Sequence, residues 1–194
     1  MSSVIIAGNT SGTITLDAPN VAGTTTLTLP TTNGTILTTA NTFGAGTGPA
    51  FSVYLSTSQT ISNNVTTKVA FNSENFDTAS CFNTSTYRFT PTTAGYYSFS
   101  VIVQPQSNSA ISGYSFYLTK NGADVGSSNQ ICYANGNNGY SLNPAYNGSL
   151  MYYLNGSTDF VELYFNQGTG SSKLLYGSVD GGTTILSGFL ARSA

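Results

Sequence analysis

Between Phe71 and Phe99 the chain reads FNSENFDTASCFNTSTYRFTPTTAGYYSF, with aromatic residues, one aspartate and one glycine at set intervals. The anchors are Phe71, Asp77, Phe82, Phe89, Gly95, Tyr97 and Phe99. The end of the run fixes local structure. After Gly95, the residues Tyr97, Phe99, Val101 and Val103 alternate with Tyr96, Ser98, Ser100 and Ile102. Successive side chains on an extended strand point to opposite faces, so one set belongs to a core and the other to a second surface.

From Phe51 onward the same kind of segment recurs. Strands are predicted at 51–56, 65–72, 86–91, 96–104, 113–120, 149–155, 159–166 and 185–192. Turn signals separate them: Asn-Gly at 121, 147 and 155, Asn-Asn-Gly at 137–139 and Gly-Gly at 181. Asn-Gly supplies the positive φ that tight hairpins need. Thirteen Tyr and eleven Phe provide core material, while Ser, Thr, Asn and Gly fill much of the remainder. No stretch carries helix start and stop signals. About eight strands at this spacing predict an all-β sandwich or jelly roll.

The first forty residues have another rhythm. Gly12, Gly23 and Gly34 are 11 apart, as are Pro19 and Pro30. The units GTITLDAPNVA, GTTTLTLPTTN and GTILTTANTFG each open on Gly-Thr, and the first two alternate apolar with hydroxyl residues up to a proline. Ile14, Leu16, Leu27, Leu29 and Ile36 supply the apolar side. Such units predict short strands. One unit alone buries almost nothing. The segment therefore reads either as a β-stalk or docking arm intertwined with other copies, or as a Thr-rich leader that orders only on a partner. Residues 41–49 are a glycine-rich linker, and a head spans 50–194.

Charge and chemistry narrow the function. Charged residues make up 6% of the chain, with seven acids, five bases and a net charge of -2. Lys68, Arg88, Lys120, Lys173 and Arg192 are spread out and form no basic stripe, which argues against a nucleic-acid partner. No segment nears the length of apolar run that spans a membrane, so no insertion is expected. The opening MSSVIIAGNTSG has no basic region and no apolar core of signal-peptide length, so cytoplasmic synthesis with release by lysis is the expectation. In that compartment Cys81 and Cys132 are expected as free thiols rather than a disulfide. The chain has no histidine, which removes the commonest general base and most zinc sites. Glu74 and Asp77 lie close together, but within the aromatic run they read as architecture rather than as a carboxylate pair. The acids have no calcium-loop spacing. No catalytic residue, cofactor or metal is expected.

The spaced run resembles the signature of the complement 1q globular heads, relatives of the tumour necrosis factor fold. Phe71, Asp77, Phe82, Phe89, Gly95, Tyr97 and Phe99 match its steps, and Val101 stands where the family has a further aromatic. AFSVYL resembles the first strand, LNGSTDFVEL the penultimate hairpin and ILSGFLA the closing strand. The resemblance implies a jelly-roll sandwich that packs as a homotrimer. By that analogy the Tyr97 and Phe99 side fills the core, and Ser100, Ile102, Leu186 and Leu190 face the threefold axis.

The Gly-Thr-x-Thr-Leu-x-x-Pro units look like those of bacteriophage fibre proteins. Together the two likenesses imply a structural virion protein assembled in the host cytoplasm. It would be a homotrimeric knob or short fibre on the capsid surface, held to a capsid or tail protein through residues 1–40. Fully extended, residues 1–49 reach at most about 170 Å, which suits a short appendage. The alternative is a tail-fibre receptor-binding protein. In that case Tyr133, Asn137, Asn138 and Tyr140 would form a loop that contacts host glycan.

Overall fold

The computed structural model describes residues 3–7, 13–17, 48–106, 113–122, 130–134 and 145–194. The chain divides into two compact units, Met1–Phe43 and Gly44–Ala194. In the first, β1 (Ser3–Ala7) pairs antiparallel with β2 (Thr13–Asp17), in a register running from Ser3 opposite Asp17 to Ala7 opposite Thr13. Thus the first Gly-Thr unit does form a strand, and it pairs with an upstream SVIIA segment that periodicity alone did not mark. The later units lie outside the described residues.

The second unit is an antiparallel sandwich, with no helix among the described residues. Its strands are β3 (Ala50–Tyr54), β4 (Gln59–Ile61), β5 (Thr67–Lys68), β6 (Ser73–Asp77), β7 (Phe82–Asn83), β8 (Arg88–Phe89), β9 (Gly95–Val103), β10 (Tyr114–Lys120), β11 (Gln130–Ala134), β12 (Tyr146–Leu154), β13 (Val161–Gln167), β14 (Lys173–Leu175) and β15 (Ile185–Ser193). One sheet has the order β12-β9-β15-β3-β6. The other has the order β11-β10-β13-β8-β7, with β5 also pairing to β13. β14 and β4 form a small ribbon at the side. The architecture is the jelly roll of the complement 1q and tumour necrosis factor type.

The aromatic run is the core. Phe51 and Phe89 stack with ring centroids 4.3 Å apart, and Phe82, Tyr97 and Phe99 pack around them. Phe71 meets Phe82 edge-on at 6.5 Å. All of these rings are buried. Truncating one such ring costs about 3–5 kcal/mol, which is why their spacing dominates the sequence. Burial pushes the Tyr97 hydroxyl up to about 12, and it donates to the Thr93 carbonyl at 2.7 Å. Asp77 closes a turn, its carboxylate accepting from the amide of Phe82 at 2.6 Å and of Ala79 at 3.2 Å. Gly95 starts β9 where a side chain would strike the Arg192 carbonyl and Leu190. The seven signature residues are therefore five core rings, one turn clasp and one close backbone approach.

The turns follow their chemistry with one exception. Asn121 and Gly122 both have positive φ, 56° and 65°, as a tight turn requires. Asn147-Gly148 is not a turn: it lies inside β12, opposite Ile102 and Val101 of β9. Nine continuous backbone pairs override a local two-residue preference. The Asn-Asn-Gly at 137–139 falls outside the described residues.

Candidate assembly face

The five-stranded sheet buries one face in the sandwich and exposes the other. Its register sets out that second face in cross-strand rows, because residues directly opposite share a side. The central row runs Phe76, Ser52, Ser187, Ser100, Ser149 across five strands. The next is Ala50, Phe189, Ser98, Met151. On the other side lie Tyr54, Ile185, Ile102 and Asn147. At one end Arg192, Tyr96 and Tyr153 form a short row, the two tyrosine rings meeting at 5.4 Å.

A band of small hydroxyl residues is thus flanked by large apolar ones. Phe76, Phe189 and Met151 are 50%, 54% and 56% exposed, with Tyr96, Tyr153 and Ile102 also open. Phe76 and Phe189 help enclose a groove of about 340 Å³ whose lining also includes Ala50, Ser98, Ser100 and Ser187. Arg192, at one end, is the only charged residue in these rows. Contiguous apolar surface of this kind, depleted in charge, is the mark of a protein–protein contact.

The position of this face on β15 differs from the sequence expectation. Ser100 and Ile102 do lie on the open face. Leu186 is buried in the sandwich, and Leu190 packs partly buried against the same core. The register explains it: Leu186 stands opposite Val101 and Leu190 opposite Tyr97, both core residues. The outward residues of this strand are Ile185, Ser187 and Phe189. Gly188 sets the phase, since a Cβ there would come within 2.8 Å of Phe99 and 2.9 Å of Phe51.

The opposite sheet and its turns hold the ion pairs. Glu162 on β13 is only 1% exposed and accepts from Lys68 of β5 and Arg88 of β8. The Tyr164 hydroxyl donates to its second oxygen at 3.1 Å. Burial alone pushes the Glu162 carboxyl up, but the hydrogen bonds and charges of Arg88 and Lys68 outweigh it and hold it below the usual carboxylate range. Arg88 also lies 4.1 Å over the Phe160 ring. Asp159, before β13, is held low by Asn121 and Lys120, which bind its two oxygens. Sequence inspection missed the Glu162 cluster because its partners lie 94 and 74 residues away.

Among the described residues no three His, Cys, Asp or Glu side chains gather as a metal site, and no helix is long and apolar enough to cross a membrane. Cys81 is a buried free thiol. Tyr133 sits in β11, with Ser115 opposite in register, and Asn137, Asn138 and Tyr140 lie outside the described residues.

Residues 50–191 match the family model of the C1q domain. The chain belongs to the C1q family. Its C1q head is similar in fold to the globular domain of zebrafish complement 1qA, with a TM-score of 0.54 at 20% identity, over 76% of this chain and 99% of that one. It is also similar to the Eiger tumour necrosis factor of S. frugiperda, with a TM-score of 0.52 at 11% identity, over 76% and 94%. The PRD1 vertex protein P5 gives 0.52 at 15% identity, over 74% and 97%. No curated protein matches the chain. In this C1q head the open face of the β12-β9-β15-β3-β6 sheet is therefore the surface left to account for.

Proposed function

We propose that the protein is a structural component of a bacteriophage virion, a homotrimeric knob or short fibre on the particle surface. The observation that carries this reading is the open sheet face. A monomer would leave Phe76, Phe189, Met151, Tyr96 and Tyr153 in water on one nearly uncharged surface. Three copies packed through this face would cover it, as the C1q fold implies. The fold likeness to a PRD1 vertex protein and the Gly-Thr strand units of the N-terminal arm support the placement on a particle. In this reading the arm, residues 1–40, is fixed to a capsid or tail protein and the head is displayed. Of the two placements, capsid decoration is the one proposed here, with the PRD1 vertex protein as the likeness that supports it.

The role is structural, with no bond made or broken. Particles lacking the protein test it. Gold-labelled antibody against the head should decorate capsids of the complete particle and not its tail. Adsorption to host cells should stay unchanged without the protein. Loss of adsorption, or tail labelling, would move it to receptor binding, with Tyr133 at the end of β11 and Asn137, Asn138 and Tyr140 beyond it as the candidate contact.

A further inference from the structure

The β11-β10-β13-β8-β7 sheet carries one cation more than its buried carboxylate needs. Lys68 and Arg88 donate to the same oxygen of Glu162, at 2.7 and 2.5 Å, and the Tyr164 hydroxyl takes the other. One base would neutralise Glu162, so two bases leave a positive charge in the cluster. Arg88 is fixed where that charge shows. Its Nε is tied to Glu162, its guanidinium carbon lies 4.1 Å from the centre of the Phe160 ring, and its side chain is 41% exposed. Among the described residues no acceptor meets its other two guanidinium nitrogens. Tyr87, just before it, has a φ of 57°, a left-handed conformation that clusters at functional sites when glycine does not supply it. The Asn83 side chain closes that turn by accepting from the Ser85 and Thr86 amides, and Lys68 donates to the Thr86 carbonyl. A guanidinium held this way, with its fork open, is a preorganised oxyanion receptor with little freedom left to lose.

We propose that Arg88 anchors a binding site for a sugar carboxylate, a uronate of an acidic polysaccharide. The two open nitrogens match a planar carboxylate, which can accept from both at once. The surroundings choose the carrier. Thr86 is exposed and Tyr87 half-buried beside Arg88, and the next base along the sheet, Lys120, is already paired with Asp159. An acidic peptide brings several charges and would need several cations. A uronate brings one charge and a ring of hydroxyls, which suits one excess cation among hydroxyl and aromatic side chains. The site lies on the other sheet from the assembly face, so packing through that face would leave it uncovered. It goes beyond the structural reading above and does not depend on where the head is displayed.

The full chain has two arginines, Arg88 and Arg192, on different sheets, so isotope labelling of arginine gives two Nε signals by NMR, one of them an internal control. Sodium glucuronate should shift the Arg88 signal, saturating at about 1–10 mM as suits one half-exposed charge, and leave Arg192 unmoved. Glucose, and sodium chloride at equal ionic strength, should move neither. An equal response to sodium chloride overturns the site, and tighter binding of a glutamate-rich peptide than of glucuronate overturns the sugar assignment. Retardation in a native gel containing polygalacturonate gives a second readout. Arg88→Lys keeps the charge but loses the fork, and should weaken retardation by about fivefold or more. Phe160→Leu removes the stacked ring and should weaken it by about two- to fivefold. Lys173→Gln removes a charge outside the cluster and should change nothing. Full retardation of both the Arg88→Lys and Phe160→Leu proteins, or a loss in Lys173→Gln as large as in Arg88→Lys, overturns the proposal.

Discussion

Replacing Glu162 with glutamine tests whether the buried carboxylate holds the charged sheet together. The side chain keeps its shape, so packing is unchanged, but Lys68 and Arg88 lose their anion. Removing one partner of a buried ion pair costs about 3–5 kcal/mol when the remaining charge stays buried. Here Lys68 and Arg88 are 29% and 41% exposed and can turn to water, so the cost falls below that range, to about 2–3 kcal/mol. For a domain of this size that is a fall of roughly 4–12 °C in Tm. The effect must fade in acid. A carboxyl whose folded pKa lies below its unfolded value contributes its full stability above the unfolded value, near 4.5, and loses it as pH falls through the folded one. Urea titrations of both proteins should therefore differ at pH 7 and converge toward pH 2–3, at one fixed protomer concentration because assembly also stabilises. Equal stability at pH 7, or a gap that persists unchanged at the acid limit, would refute the argument.

Gly188→Ala should destabilise the head by about 1–3 kcal/mol in urea denaturation, because the new Cβ meets Phe51 and Phe99, and Phe51→Leu should return part of the loss. Asp77→Ala should cost about 1–2 kcal/mol by leaving the Phe82 and Ala79 amides without their acceptor, whereas Glu74→Gln on the exposed edge should be neutral in the same assay.

How far the fold was legible depended on how local its causes were. β9, β10, β13 and β15 were legible because each is long, apolar on at least one phase and bounded by turn residues. β6 was not, since Ser73, Glu74, Asn75 and Asp77 are poor strand formers and form an edge where one bulged ladder suffices. The open face was half legible. β9 alternates aromatic or valine with serine, so its core side is plain. β15 is apolar on both phases, Ile185 and Phe189 against Leu186 and Leu190, and hydropathy cannot choose between them. The choice lies in Gly188, which must sit under two rings, and in a register set by β9. Phe76, Met151 and Phe189 were missed for the same reason: their exposure is a property of the assembled sheet.

The distribution of charge joins the two surfaces in one argument. The pairs of Glu162 with Lys68 and Arg88 and of Asp159 with Lys120 belong to strands or turns of the β10 and β13 sheet. The open face of the other sheet carries Arg192 at one end alone in its rows. Stability and assembly should therefore respond differently to the same solution. Ion pairs that are partly exposed weaken as salt screens them, while contacts between apolar side chains do not. Raising NaCl from about 50 mM to about 1 M should leave the trimer dissociation midpoint within about threefold, measured by sedimentation at pH 7. A trimer that falls apart in salt would mean that charged residues outside these rows hold the copies together, and the open face would lose its claim as the assembly surface.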